Sequence, residues 1–184
     1  MEIEYTIEKS RRRTLSMEVK PDGTVMIKAP KFVSDAEIGR FVSSRSGWIE
    51  KTVKKVLVKN AGLSEVERMT DTELRALKRK ARAMIMPLVE EYADLMGVTY
   101  CTVSIRAQKT RWGSCSSKGN LNFNCLLALC PEGVMRYVVV HELSHRRHMN
   151  HSKAFWSMVE EYMPDYKEQK LYLKRNGDLL MARL

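Results

Sequence analysis

All four histidines of this chain fall between positions 141 and 151: His141, His145, His148 and His151. The first two belong to His141-Glu142-Leu143-Ser144-His145, an H-E-x-x-H pattern. On an α-helix, residues four apart differ by about 40° in azimuth and about 6 Å along the axis, so both imidazoles can meet one ion. Glu142 is turned about 100° from His141, close enough to reach a water at the ion without taking a ligand position. Neutral nitrogen ligands, an open position for water and an adjacent carboxylate are the parts of a catalytic zinc site. The pattern therefore predicts one Zn2+ ion, hydrolytic chemistry and Glu142 as general base.

That spacing leaves the third ligand open. His148 lies about 20° from His141 in azimuth but about 10 Å farther along a straight helix, so the three rings would form a line. His151 reaches the ion only if the chain turns back after Met149. Asn150 tolerates the left-handed backbone that ends and reverses a helix. H-E-x-x-H-x5-H is also the ligand spacing of the metzincins, which put Gly where this chain has His148. His151 is the favoured ligand on these grounds, with His148 as the rival. Glu160 or Glu161 could instead supply a carboxylate. His148, Tyr162 and Tyr166 have the chemistry to stabilise an oxyanion or touch substrate, although packing accounts for the tyrosines equally well.

Other elements must position these groups. Pro131 opens a helix whose apolar run Tyr137–Val140 buries the approach to the motif, fixing the ligands. Another helix begins near Ser152 and stops before Pro164, and a last one spans 165–176. Upstream, 98–107 reads as a strand, 109–120 as a polar basic loop and 121–129 as a second strand. Thr70 and Glu73 form a capping box for a helix that Pro87 should kink or divide and Gly97 should end. The stretch 60–69 reads as a linker. At the start, 3–8 and 14–19 alternate with period two, 20–24 is a turn and 25–30 continues as a strand. A helix capped by Ser34 follows, then helix through 48–59. The expected fold is α+β, in one domain over 1–184. An N-terminal antiparallel β-meander plus helices fills 1–60, and a catalytic core carrying the HExxH helix fills 70–184.

The 184 residues, 44% hydrophobic and 29% charged, suit a globular chain long enough to bury a core. No run reaches the roughly 20 apolar residues of a membrane span. The opening "MEIEYTIEKS" alternates acidic and apolar residues, unlike a signal peptide, which predicts a cytoplasmic protein. Cys101, Cys115, Cys125 and Cys130 show no C-x-x-C spacing and read as reduced, packed thiols, with Cys115 the most exposed. A net charge of +10 favours anionic partners and permits weak nucleic-acid binding. Solvated faces explain the clusters at 11–13 and 51–59. From Tyr100 to Cys130 there is no acidic residue, while Arg106, Lys109, Arg111 and Lys118 could hold the oxygens of a nucleotide or other phosphoester. Arg111 and Trp112 stand out as substrate contacts, although packing under the active-site helix is the stronger reading of Trp112.

Taken together, "RWGSC" at 111–115, the Asn- and Leu-rich 121–129, Pro131, "YVVVHELSH" at 137–145 and "NHSKAFW" at 150–156 resemble the YgjP-like zinc metallopeptidases, relatives of WLM and SprT-type proteases. The match is dense over 111–156 and extends weakly to the N-terminal strands. The resemblance implies a minimal zincin-like core, zinc held by His141, His145 and His151, and Glu142 as general base. It also implies that the strand near 121–126 lines the cleft, where an extended polypeptide could add as a strand. No Met-turn of the metzincin kind is recognisable. The expected substrate is polypeptide, the alternatives being a phosphorylated small molecule or a protein associated with nucleic acid.

Overall fold

Among the first three strands, the most apolar one takes the middle of the sheet. β1 (Tyr5–Ser10), β2 (Ser16–Val19) and β3 (Val25–Pro30) are ordered β1-β3-β2, and β3 buries Val25, Ile27, Ala29 and Pro30. β2 and β3 form the expected hairpin, with Ser16 opposite Lys28, around a turn in which Gly23 has φ 87°. β1, however, pairs parallel to the other side of β3, with Tyr5 opposite Val25. The antiparallel meander expected from the sequence is therefore a mixed sheet. A meander would centre β2, which carries Glu18. The observed order centres the apolar strand and leaves the charged strands at the edges, where unpaired backbone meets water.

The structure, a computed structural model, describes residues 3–184, so the first two residues of the acidic–apolar opening lie outside it. It divides into two compact units, one ending at Glu65 and one over Val66–Leu184. In the first, Ser34 caps α1 (Asp35–Ser43) by accepting from the Glu37 N–H, and the Glu37 carboxylate returns the bond. α1 supplies Ile38 and Val42 to the core under the sheet, and α2 (Ser46–Ser64) supplies Ile49. α2 runs on through the first half of the expected 60–69 linker.

The second unit opens with α3 (Asp71–Met96), whose N-terminus carries the Thr70–Glu73 capping box and whose C-cap, Gly97, is left-handed. The helix continues through Pro87 as one element. Pro87 and Ala83, whose carbonyl loses its helical partner, both lie on the exposed face, where water can satisfy that carbonyl. Ile85, Leu88 and Val89 pack inward. β4 (Thr102–Arg106), β5 (Gly113–Cys115) and β6 (Asn120–Asn124) form a sheet ordered β4-β6-β5. β4 is parallel and β5 antiparallel to β6, so β6 is paired on both sides. The strand near 121–126 thus has no free edge for an added strand. The free edges belong to β4 and β5, and β5 lies inside the stretch expected as loop.

The second strand also ends earlier than expected. The Asn124 side-chain oxygen accepts from the Leu126 N–H and caps a 3-10 turn over Cys125–Leu129. α4 (Glu132–Ser144), α5 (Lys153–Tyr162) and α6 (Tyr166–Ala182) complete the unit. Its core joins Ile85 and Val89 of α3 to Leu121 and Phe123 of β6, Val139 and Leu143 of α4, and Phe155 of α5. Cys125 and Cys130 are buried and Cys115 is half-buried in β5, so the exposed thiol is Cys101, not Cys115. Among the described residues, no helix is long and apolar enough to cross a membrane.

Candidate metal centre

α4 is packed on nearly every face: Val138, Val139, Val140, Leu143 and the polar Ser144 are all buried around the motif. Such a helix has one way to sit, which fixes the direction of His141. α4 then ends at the second histidine of the motif. His145 is its C-cap, with φ −65° and ψ −13°. The next three amides turn tightly, Arg146 N–H bonding the Leu143 carbonyl at 2.9 Å and His148 N–H the Ser144 carbonyl at 3.0 Å.

Two arginines anchor this turn. Arg146 donates to the Thr99 carbonyl at 2.8 Å and to the Ser117 carbonyl at 3.1 Å, tying it to the loop between β5 and β6. Arg147 donates to the Met96 and Gly97 carbonyls at the end of α3, where a cation also meets the negative end of the helix dipole. The chain reverses without the left-handed residue expected at Asn150, since no described non-glycine residue has positive φ. The arginine anchors and the Ser152 cap of α5, which accepts from the Phe155 N–H, direct the chain back instead.

The reversal brings His151 to the other two histidines. One ring nitrogen or similar ligand atom from each of His141, His145 and His151 lies within 4.8 Å of the others, and the Nε2 atoms of His141 and His151 are 3.0 Å apart. The His145 Nδ1 faces the His148 carbonyl at 3.0 Å. A carbonyl only accepts, so Nδ1 carries the proton and Nε2 keeps its lone pair for the ion. The Phe155 ring, fully buried, lies against all three imidazoles, with centroids 4.9, 4.6 and 4.8 Å from His141, His145 and His151. Trp156 stacks on His151 at 5.7 Å, and Tyr137 meets the His141 ring edge-on.

The donor set fits zinc. Burial, followed by the charges of His145, His151 and Lys170, pulls His141 down to about 3, and burial also lowers His145. Both rings are neutral at pH 7, with a lone pair to offer an ion. Two nitrogens on a tetrahedral zinc stand about 3.3 Å apart, given Zn–N bonds of about 2.05 Å. The 3.0 Å between His141 and His151 Nε2 is within a few tenths of that value. Three such donors would leave a fourth tetrahedral position open, as hydrolytic zinc requires.

Glu142 is 5% exposed and follows His141 directly. Burial pushes its carboxyl up to about 8, while the charge of Arg111 pulls the other way. Arg111 is exposed, but its backbone is not free. The buried Asn124 amide donates to the Arg111 carbonyl at 3.0 Å and to the Gln108 carbonyl at 2.6 Å, and the Asn124 N–H bonds the Trp112 carbonyl at 2.8 Å. One asparagine thus ties the basic loop to β6. Asn124→Ala leaves the part-buried Gln108 and Arg111 carbonyls and the buried Leu126 N–H without their side-chain partner, and is expected to cost about 2–4 kcal/mol of unfolding free energy, read from chemical denaturation.

The sequence model of the YgjP-like, metallopeptidase domain matches residues 13–73 and 62–176. The chain belongs to the YgjP-like metallopeptidase family. As a member of that family it is a metallohydrolase of the metallopeptidase class. Two solved structures are similar over half of this chain. The metallopeptidase zymogen abylysin of Pyrococcus abyssi is 28% identical, with 50% of this chain and 93% of that one covered and a TM-score of 0.45. The zymogen jannalysin of Methanocaldococcus jannaschii is 21% identical, with 50% and 95% covered and a TM-score of 0.45. No curated protein matches the chain.

Within this YgjP-like centre the other expected residues take distinct places. His148 does not join the ligand cluster. Its carbonyl orients His145, and its ring lines a groove with Arg147, Glu161 and Tyr162. Trp112 is laid against α6, where a Cβ on Gly177 would stand 3.3 Å from Trp112 Cζ2. Tyr166 is buried, its ring stacked between Trp156 at 5.4 Å and Tyr137 at 6.4 Å, which makes it backing for the imidazoles. Phe155 and Gly113 also stand at the site, without a chemical role that their residue types announce. Phe155 follows His151 by four residues, a spacing that could have placed its ring near the ligands. Gly113 stands in the "RWGSC" stretch, but nothing local ties it to Glu142.

Proposed function

We propose that the protein is a zinc-dependent peptidase in which one ion, held by His141, His145 and His151, serves hydrolysis of extended polypeptide with Glu142 as general base. The observation that carries this reading is the meeting of three ring nitrogens beside a buried carboxylate. Zinc, when bound, polarises a carbonyl oxygen and makes water acidic enough to attack near neutral pH. The Glu142 carboxylate accepts the proton of the attacking water as its oxygen adds to the scissile carbonyl carbon. It then delivers that proton to the leaving nitrogen as the C–N bond breaks. Its burial suits both steps, since a poorly solvated carboxylate is a stronger base than one in water.

Substrate binding by strand addition has an edge to use. Trp112, Ser114 and Ser116 pair with Asn124, Asn122 and Asn120, so the alternation of an antiparallel ladder turns the backbone groups of Gly113 and Cys115 away from β6. An extended peptide bonded to those groups would run beside Glu142. The test is metal dependence on a defined substrate. Chelated protein is expected to lose cleavage of unfolded casein, and about one equivalent of zinc per chain should restore it. Hydrolysis of nucleoside triphosphates without peptide cleavage, or peptide cleavage that survives metal removal, would sink the proposal.

A further inference from the structure

Glycine weakens a strand, because it loses more entropy on folding and packs nothing. Gly113 nevertheless occupies β5 opposite Phe123. Its backbone does not call for glycine: the positive-φ glycines are Gly23, Gly97 and Gly119. Space does. A Cβ at position 113 would stand 2.5 Å from Glu142 Oε1, 2.7 Å from its Cγ and 2.8 Å from its Cδ, and all three of these nearest atoms belong to that one side chain. Neither partner can step aside at low cost. Glu142 is buried, so the carboxylate cannot swing into solvent. β5 is held against β6 from Trp112 to Ser116 by ladder bonds and by the Asn124 amide.

We propose that Gly113 is a positioning residue for the Glu142 carboxylate: the missing side chain leaves the slot against β5 in which that carboxylate lies. The proposal rests on Glu142 as general base, and Gly113 acts through it. A methyl group at 113 displaces the flexible end of Glu142 more readily than it displaces a bonded strand. The expected consequence is a catalytic defect with the fold and the metal site intact.

Gly113→Ala is expected to retain wild-type zinc content, to lower kcat about 10²-fold and to leave KM within about twofold. On top of Glu142→Gln it should cost no further activity, because the displaced group no longer acts. An unchanged kcat, a loss of zinc, or a full additional loss in the Glu142→Gln background overturns the proposal. Thermal unfolding provides an arm that needs no chemistry. Glu142→Ala empties the slot, so Gly113→Ala should lower Tm less in that background than in the wild type. Equal losses of Tm, or failure to fold in both backgrounds, overturn the proposal. Failure to fold that Glu142→Ala repairs supports it. A fully active Glu142→Gln enzyme would retire the general-base reading alone, and the thermal arm would still decide on Gly113.

Discussion

Glu142→Gln is expected to bind zinc at the wild-type stoichiometry and to lose about 10²–10⁴-fold in kcat. The amide has the shape of the carboxylate, so the slot beside Gly113 remains filled, but it cannot accept a proton. Its neutral head is also easier to bury than a carboxylate, so the fold should be at least as stable as the wild type. The pattern to look for is therefore a split: metal content and thermal stability held, turnover lost. Glu142→Asp separates position from basicity. It keeps a carboxylate but withdraws it by one methylene, and a misplacement of about 1 Å can cost about 10²-fold. An active Glu142→Gln enzyme would show that proton transfer runs through another group.

How far this site can be read from residues alone depends on the distance over which each contact acts. His141 and His145 are legible because helical geometry fixes residues four apart, whatever surrounds the helix. His151 is legible only in part. The need for a reversal follows from the straight-helix argument, but the device does not. Asn150 is the local candidate for it, whereas the structure uses Arg146 and Arg147 reaching to Thr99, Ser117, Met96 and Gly97. Those bonds reach across 29 to 51 positions of the chain, and no periodicity announces them. Gly113 and Glu142 meet across the same kind of gap.

The fold divides along the same line. Caps are local, so Ser34, Thr70, Gly97 and Ser152 all stand where their residue types place them. Strand order is not local. The sequence marks strands over 3–8 and 25–30 without saying that they run parallel, because side-chain period is the same in either direction. β5 escapes notice for a different reason. It is a three-residue strand that begins with glycine, so it has too few positions for alternation and a residue type that argues against a strand.

His151→Ala and His148→Ala are expected to part company in metal binding. Removing His151 takes away a ring nitrogen 3.0 Å from His141 Nε2 and leaves two protein ligands. Loss of a group that merely orients a ligand already costs about 10–100-fold in affinity, so loss of the ligand itself should exceed about 100-fold. Peptidase activity should vanish at substoichiometric zinc. His148→Ala leaves the peptide carbonyl that accepts from His145 Nδ1 in place, since the contact belongs to the backbone. Zinc affinity measured by competition with a chromogenic chelator should therefore stay close to wild type, and any change should appear in KM through the groove shared with Glu161 and Tyr162. The reverse pattern, zinc lost with His148 and kept without His151, would mean that the fourth histidine and not the third completes the site. The two substitutions lie three positions apart on one turn, so a general loss of stability cannot imitate the difference between them.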